Sequence, residues 1–345
     1  MTNTFFGKME KLIVHFVGNK NNGDGVRFSS AETNFEKVEE HFTLMMNNSF
    51  NLEELYCFHY LPKVELNPVY QFVKSIFADN FSFVEQTQNC SRILYDKSNH
   101  PKIKGGELQV AYFTGCVING KTIDAIGFFK SENKETFLKV LTSKVGFDLE
   151  SEKGIAVRKL DKGCLIFNTK EKDGYLVSVV DNTNRGEEAQ YWKDEFLGVK
   201  PITNEFHQTN EFLGITKNFV TKQLSEDFEV SKADKIDLLN RSVEYFKTHG
   251  SFDKKEFEKE VFQDAGIIKS FRNFDDNYRQ ENEIELTDNF DISPQAVKKQ
   301  ARVFKSVLKL DKNFHIYIHG NRELIEQGVE KDGRKFYKIY FNEES

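Results

Sequence analysis

Two β-rich runs, residues 107–118 and 121–130, are separated by only Asn119-Gly120. Two residues cannot carry a crossover, so these strands must lie side by side and antiparallel. Asn-Gly suits the positive φ angles of such a turn. A second hairpin is expected where residues 155–168 meet 175–180, with Asp173-Gly174 in the turn. Together the four runs predict an antiparallel sheet in the N-terminal part. That excludes a doubly wound nucleotide-binding fold, which needs parallel strands and helical crossovers.

Residues 10–17 predict a further strand, followed by a turn-rich loop over 18–25. Helices are expected over 31–46 and 69–77. After residue 186 helical periodicity takes over, with helices expected over 187–197, 205–224 and 232–248. Asp253 and Glu256 have capping-box spacing, and Ser293-Pro294 places an N-cap and an N1 proline before another helix. Alternation then returns over 304–310 and 314–318, and Asp332-Gly333 turns a last pair ending at 335–341. The expected fold is α+β: an N-terminal antiparallel sheet with helices, a helical middle and a small C-terminal antiparallel sheet. The 345 residues allow two domains, expected at 1–224 and 225–345.

Charge is uneven. The chain carries −6 overall, yet residues 225–291 hold 18 acidic and 10 basic side chains, a net −8. Residues 292–345 hold 7 acidic and 11 basic, a net +4. The basic end includes Lys298, Lys299 and Arg302 on the expected helix, with Lys298 and Arg302 on one face, and Lys305 and Lys309 on one face of the next strand. Phosphate neutralisation dominates DNA affinity, so these five are the candidate nucleic-acid contacts. The acidic block 225–291 is the candidate surface for a basic protein partner.

Catalytic and metal signatures are weak. There is no G-x-S-x-G and no Walker A sequence. His315 and His319 lie in a strand pattern, where four residues span roughly 13 Å, too far to share a metal. Asp181-Asn182-Thr183-Asn184-Arg185-Gly186 begins like a calcium loop, but Arg185 takes a ligand position and Trp192 stands where a bidentate Glu is required. Asp275, Asp276, Glu281, Glu283 and Glu285 form an acidic run that a metal-dependent nuclease would have to draw together. Cys57, Cys90, Cys116 and Cys164 form no C-x-x-C pair. The reading is of a non-enzymatic protein with no cofactor and no metal. The N-terminal region has no apolar run of membrane-spanning length, so a soluble intracellular protein with reduced thiols is expected.

Five-residue near-duplicates, Glu195-Phe196-Leu197-Gly198-Val199 and Glu211-Phe212-Leu213-Gly214-Ile215, sit sixteen residues apart. The first, with Leu12-Ile13-Val14-His15-Phe16-Val17-Gly18-Asn19-Lys20, Gly105-Gly106 before a hydrophobic strand, the strand at Tyr175, a second helix through Phe219 and the helix from Pro294, resembles the 37-kDa nucleoid-associated protein family of the NdpA/YejK type. The resemblance implies a cytoplasmic protein of the bacterial nucleoid that binds DNA. It brings no catalytic motif. Some relatives carry several basic residues leading into the Phe-Leu-Gly helix, whereas Asn184-Arg185-Gly186-Glu187-Glu188 here has one Arg, which counts against phosphate contact by this helix and leaves the C-terminal end as the expected DNA contact. Alternatives are a scaffold that reaches the nucleoid through a basic partner, and a metal-dependent nuclease. A symmetric homodimer would double the basic patch.

Overall fold

The computed structural model describes residues 7–118, 120–183, 191–304, 307–318 and 322–343. Asn119, residues 184–190, Lys305 and His319 lie outside the described residues. The fold is α+β, and the chain divides into two compact units, residues 1–202 and 203–345.

The first unit is built on an eight-stranded antiparallel sheet. Its strands are β1 (Lys8–Val17), β2 (Val26–Arg27), β3 (Leu55–Phe58), β4 (Gly106–Ile118), β5 (Lys121–Ser131), β8 (Lys162–Phe167), β9 (Leu176–Asp181) and β10 (Val199–Pro201), in the order β10-β3-β9-β8-β5-β4-β1-β2. The hairpin expected around residue 119 is β4–β5, with Ile118 paired to Lys121 and Gly120 at φ +73°. The second is β8–β9, shorter than its sequence pattern because residues 155–161 form turns and loop before the strand.

Strand alternation sends successive side chains to opposite faces, and here both faces are covered. On β1, Ile13 and Val17 enter one core while Met9 and Leu12 enter the other; on β8, Cys164 and Ile166 separate from Leu165 and Phe167 in the same way. The first face is covered by α2 (Pro68–Ala78), α3 (Phe83–Lys97) and a π-helical segment, Tyr191–Leu197. The second is covered in part by α1 (Glu39–Ser49), which contributes Met45 and Met46. The helix expected from residue 31 begins only at Glu39. The Thr33 N–H is given to Leu12 O beside β1, and the Asn34 side chain accepts the Glu36 N–H, so the chain is held in turns until then.

Four free cysteines are buried in this unit, and burial raises every thiol pKa above its ordinary value. β6 (Glu135–Ser143) and β7 (Gly146–Gly154) form a separate two-stranded hairpin. The sequence pattern hides it, because its turn is Lys144-Val145 rather than a Gly- or Asn-containing pair.

The Phe-Leu-Gly sequence has a specific structural job. Gly198 adopts φ +62°, and a Cβ there would lie 2.7 Å from the Asn67 amide nitrogen. Asn67 donates from Nδ2 to Leu197 O at 2.7 Å and accepts the Tyr70 N–H at 3.0 Å, where it caps α2. One side chain therefore ties the end of the π-helical segment to the start of α2, and only glycine fits beside it. Trp192, fully buried, donates its indole N–H to Gly163 O. Gly214 of the second copy sits inside a helix with open space where its Cβ would be.

The second unit begins with α4 (Glu205–Asn218), which runs through a π turn, Phe219–Gln223, into α5 (Leu224–Asp227). Phe212, Leu213, Ile215 and Phe219 pack here with residues of α6 (Lys232–Thr248) and α8 (Ala265–Glu281), so the second Glu-Phe-Leu-Gly helix belongs to this core, ahead of the boundary expected at 224/225. Ser231 and Asp234 form a reciprocal capping box on α6. α7 (Lys254–Phe257) is capped by Asp253, the last residue of β11 (Ser251–Asp253); β11 pairs with β12 (Asn289–Asp291). Ser293 and Pro294 start α9 (Pro294–Ala301) as expected. The C-terminal β region is two antiparallel ladders: β13 (Val307–Leu310) with β14 (Phe314–Tyr317), and β15 (Ile325–Val329) with β16 (Lys335–Ile339).

Within this core Asp275 is fully buried. Its two carboxylate oxygens meet Lys254 Nζ at 2.7 Å and Arg279 Nε at 2.6 Å. Asp275→Ala would leave two largely sheltered cations sharing only the exposed Asp288 carboxylate, 3.9–4.0 Å away. A loss of about 3–5 kcal/mol is expected, read as a shift of the second unit's urea transition; an unchanged transition would remove the triad from the folding account.

His15 makes a second test. Its ring is buried on β1. Nδ1 accepts the Ser29 N–H at 3.2 Å, which fixes the proton on Nε2, 3.1 Å from Thr87 Oγ1. Protonating Nδ1 would break the Ser29 bond, and burial lowers the pKa to about 4. The unfolded chain takes up this proton near pH 6.5, so stability is lost as pH falls below that value and the loss levels off near pH 4. Between pH 7 and pH 5 the first unit should lose about 2 kcal/mol. His15→Asn should flatten that dependence, and an equal pH slope in both proteins would contradict it.

Candidate nucleic-acid interface

α9 packs by Ala296 and Val297, which are buried, and this turns Lys298, Lys299 and Arg302 outward. Lys298 and Arg302 stand one turn apart on one face. The Lys299 ammonium lies 5.5 Å from the centre of the Phe206 ring, at the start of α4. Lys309 is exposed on β13, opposite His315 of β14. Lys305 lies outside the described residues. Three of the five candidates thus share one helix end, and Lys309 stands on a separate element. All three sit in or just after the last turn of α9, where cations also complement the negative end of the helix dipole.

The carboxylates of the nuclease reading are not gathered. Asp275 is consumed by Lys254 and Arg279, while Asp276, Glu281, Glu283 and Glu285 are exposed along the end of α8 and the loop beyond it. Glu258, another acid of the 225–291 block, is buried beneath Arg272, which grips it through Nε and Nη2 at 2.6–3.0 Å.

One His/Glu group escapes sequence reading. His249, Glu256 and Glu260 have ligand atoms within 4.8 Å of one another. Tyr245 organises two of them: its ring stacks on His249 at 4.1 Å, its carbonyl lies 2.9 Å from His249 Nδ1, and its hydroxyl donates to Glu256 at 3.1 Å. A tetrahedral shell of ~2 Å bonds places ligand atoms roughly 3.4 Å apart, so the three would have to close further to share a cation. The signal was Glu256 and Glu260 at i, i+4 with a histidine just past the preceding helix.

The most buried charges lie in the first unit. Lys130 gives its three donors to Lys104 O, Glu132 Oε1 and the Tyr191 hydroxyl at 2.8–3.0 Å, and Tyr191 donates to Glu132 at 2.6 Å. Lys162 pairs with Asp181 at 2.7 Å, and its ammonium lies 5.1 Å from the Tyr191 ring centre. Asp161 accepts the backbone N–H groups of Glu132 and Asn133, both at 2.8 Å. Burial pulls the Lys130 pKa down and pushes the Tyr191 pKa up. Perturbed groups often mark functional sites, but Lys130 has no donor left for a ligand. Lysines at the ends of apolar runs, as in Phe128-Phe129-Lys130 and Lys162-Gly163-Cys164, were the sequence signal. Beside the Phe-Leu-Gly joint is a cleft of about 330 Å³, whose lining includes Lys97, Asp194 and Glu195; its mixed charges favour neither an anion nor a cation.

No helix among the described residues is long and apolar enough to cross a membrane. No curated protein matches the chain. The family model described as nucleoid-associated protein YejK matches residues 13–334. It therefore spans both compact units, including the Phe-Leu-Gly joint and the α9 basic turn, and the chain belongs to the YejK family of nucleoid-associated proteins.

Proposed function

We propose that this protein binds double-stranded DNA directly, weakly and without strong sequence preference, as a non-enzymatic component of the nucleoid. The contact is backbone charge at Lys298, Lys299, Arg302, Lys305 and Lys309. The observation that carries the reading is the outward basic turn at the end of α9, within the segment whose net charge is +4 in an otherwise acidic chain. Such a patch neutralises phosphates and has no need of base-edge contacts. The engagement of Asp275 in ion pairs supports the non-enzymatic part.

A basic protein partner is the second reading. It is favoured by the exposure of Asp276, Glu281, Glu283 and Glu285 in the acidic block. On that reading nucleoid association is indirect, and the complex survives nuclease treatment.

The test is a salt-titrated DNA-binding measurement on the full chain. Binding should be clear at ~50 mM salt and fall steeply by ~200 mM, with a slope that shrinks by about 0.9 for each phosphate contact removed. Lys298→Gln, Lys299→Gln and Arg302→Gln together should weaken binding to all duplex sequences alike and flatten the slope. Neutral substitutions are used because charge reversal would also oppose the α9 dipole. No binding at low salt, or an unaltered slope in the triple variant, would overturn direct contact through this turn.

A further inference from the structure

The β6–β7 hairpin pairs with no other strand among the described residues. Its register, from Glu135↔Gly154 to Ser143↔Gly146, puts directly opposed residues on the same face. Leu138, Val140, Phe147 and Leu149 therefore share one face. Lys139, Asp148, Glu150 and Glu152 share the other, with Phe137 and Leu141. The apolar face is open: Leu138 is 72% exposed, Val140 62%, Phe147 76% and Leu149 67%, and Val145 at the turn is 98% exposed.

An isolated two-stranded hairpin is marginal in water, and a third strand or an apolar cover is what stabilises one. Here nine-residue strands, roughly 30 Å long, present Leu138, Val140, Phe147 and Leu149 to solvent through the middle of one face, flanked by Thr136, Thr142 and Ser151. The opposite face is held by charge, with Lys139 Nζ 3.2 Å from Glu152. Sorting of this kind is the pattern of a surface made to be covered.

The chemistry of the arm selects its occupant. It carries Glu135, Asp148, Glu150 and Glu152 against Lys139, Lys144 and Lys153. That slight negative excess disfavours nucleic acid and an anionic membrane. The apolar face has no charge until Lys153 at its base, so packing it against an identical face opposes no like charges. A single self-complementary patch is what a twofold interface requires. The five exposed side chains offer on the order of 500 Å² per chain, and two copies reach about 1,000 Å², the size a specific interface must clear. The unpaired outer strand edges are free to add main-chain hydrogen bonds.

We propose that β6–β7 is a dimerisation arm, and that its Leu138/Val140/Phe147/Leu149 face packs on the same face of a second copy of this chain. The proposal does not depend on the DNA reading.

The test is the mass of the full-length protein in solution by light scattering or sedimentation. It is made at ~50 µM, above the micromolar dissociation constants at the weak end for such interfaces. The wild type should have twice the 40.2 kDa of one chain. The double variant Leu138→Lys, Phe147→Glu should run as a folded monomer, its circular dichroism unchanged outside the arm. A second variant joins Thr136 to Lys153 through Asn-Gly and so deletes the arm in register; it should also be monomeric. A monomeric wild type, or a dimer that survives both changes, would overturn the proposal. DNA binding is scored separately, so failure of one reading leaves the other intact.

Discussion

Burial of the eight-stranded sheet on both faces is the constraint from which the first unit follows. A sheet solvated on one side tolerates polar residues at every second position. This one does not, so consecutive residues such as Leu12 and Ile13, or Cys164 and Leu165, must all be apolar and must divide between two cores. Helices are then needed on both sides. Buried charges survive here only with partners, and Lys130 and Lys162 show the cost: each sits near a strand end, with partners brought from Glu132 just past β5, from β9 and from the π-helical segment.

The second unit solves a smaller problem by other means. Its core is a cluster of phenylalanine rings, Phe212, Phe252, Phe257 and Phe271 among them, with many ring pairs in edge or tilted contact. Ion pairs sit inside the edge of that core. The acidic excess of residues 225–291 is thus not simply a solvated face: Asp275 and Glu258 point inward, and the outward acids are spread from Glu226 through Glu244 and Glu260 to Asp291.

Local signals with a physical mechanism were legible in the sequence. The β4–β5 and β8–β9 hairpins, the caps at Asp253 and Ser293, and the α+β class all follow from turn chemistry and periodicity. What escaped reading lacked a local signature. α3 has a polar majority and only a narrow apolar stripe, and β6–β7 turns on Lys-Val. The Asn67 clamp joins residues 130 apart, so no window of sequence contains it. For the candidate interface, the helix carrying Lys298, Lys299 and Arg302 could be read from its cap. The outward direction of those side chains depended on what Ala296 and Val297 pack against.

The four cysteines give the first unit a property the second lacks. All are buried, all are reduced, and residues 203–345 contain none. A thiol that is both desolvated and held protonated reacts with an alkylating probe only when its surroundings open. The rate of labelling would therefore report the breathing of the two-faced sheet alone, whatever happens in the phenylalanine core. The sequence has in effect placed an internal clock in one half of the molecule, and the two halves could be timed apart without adding any label.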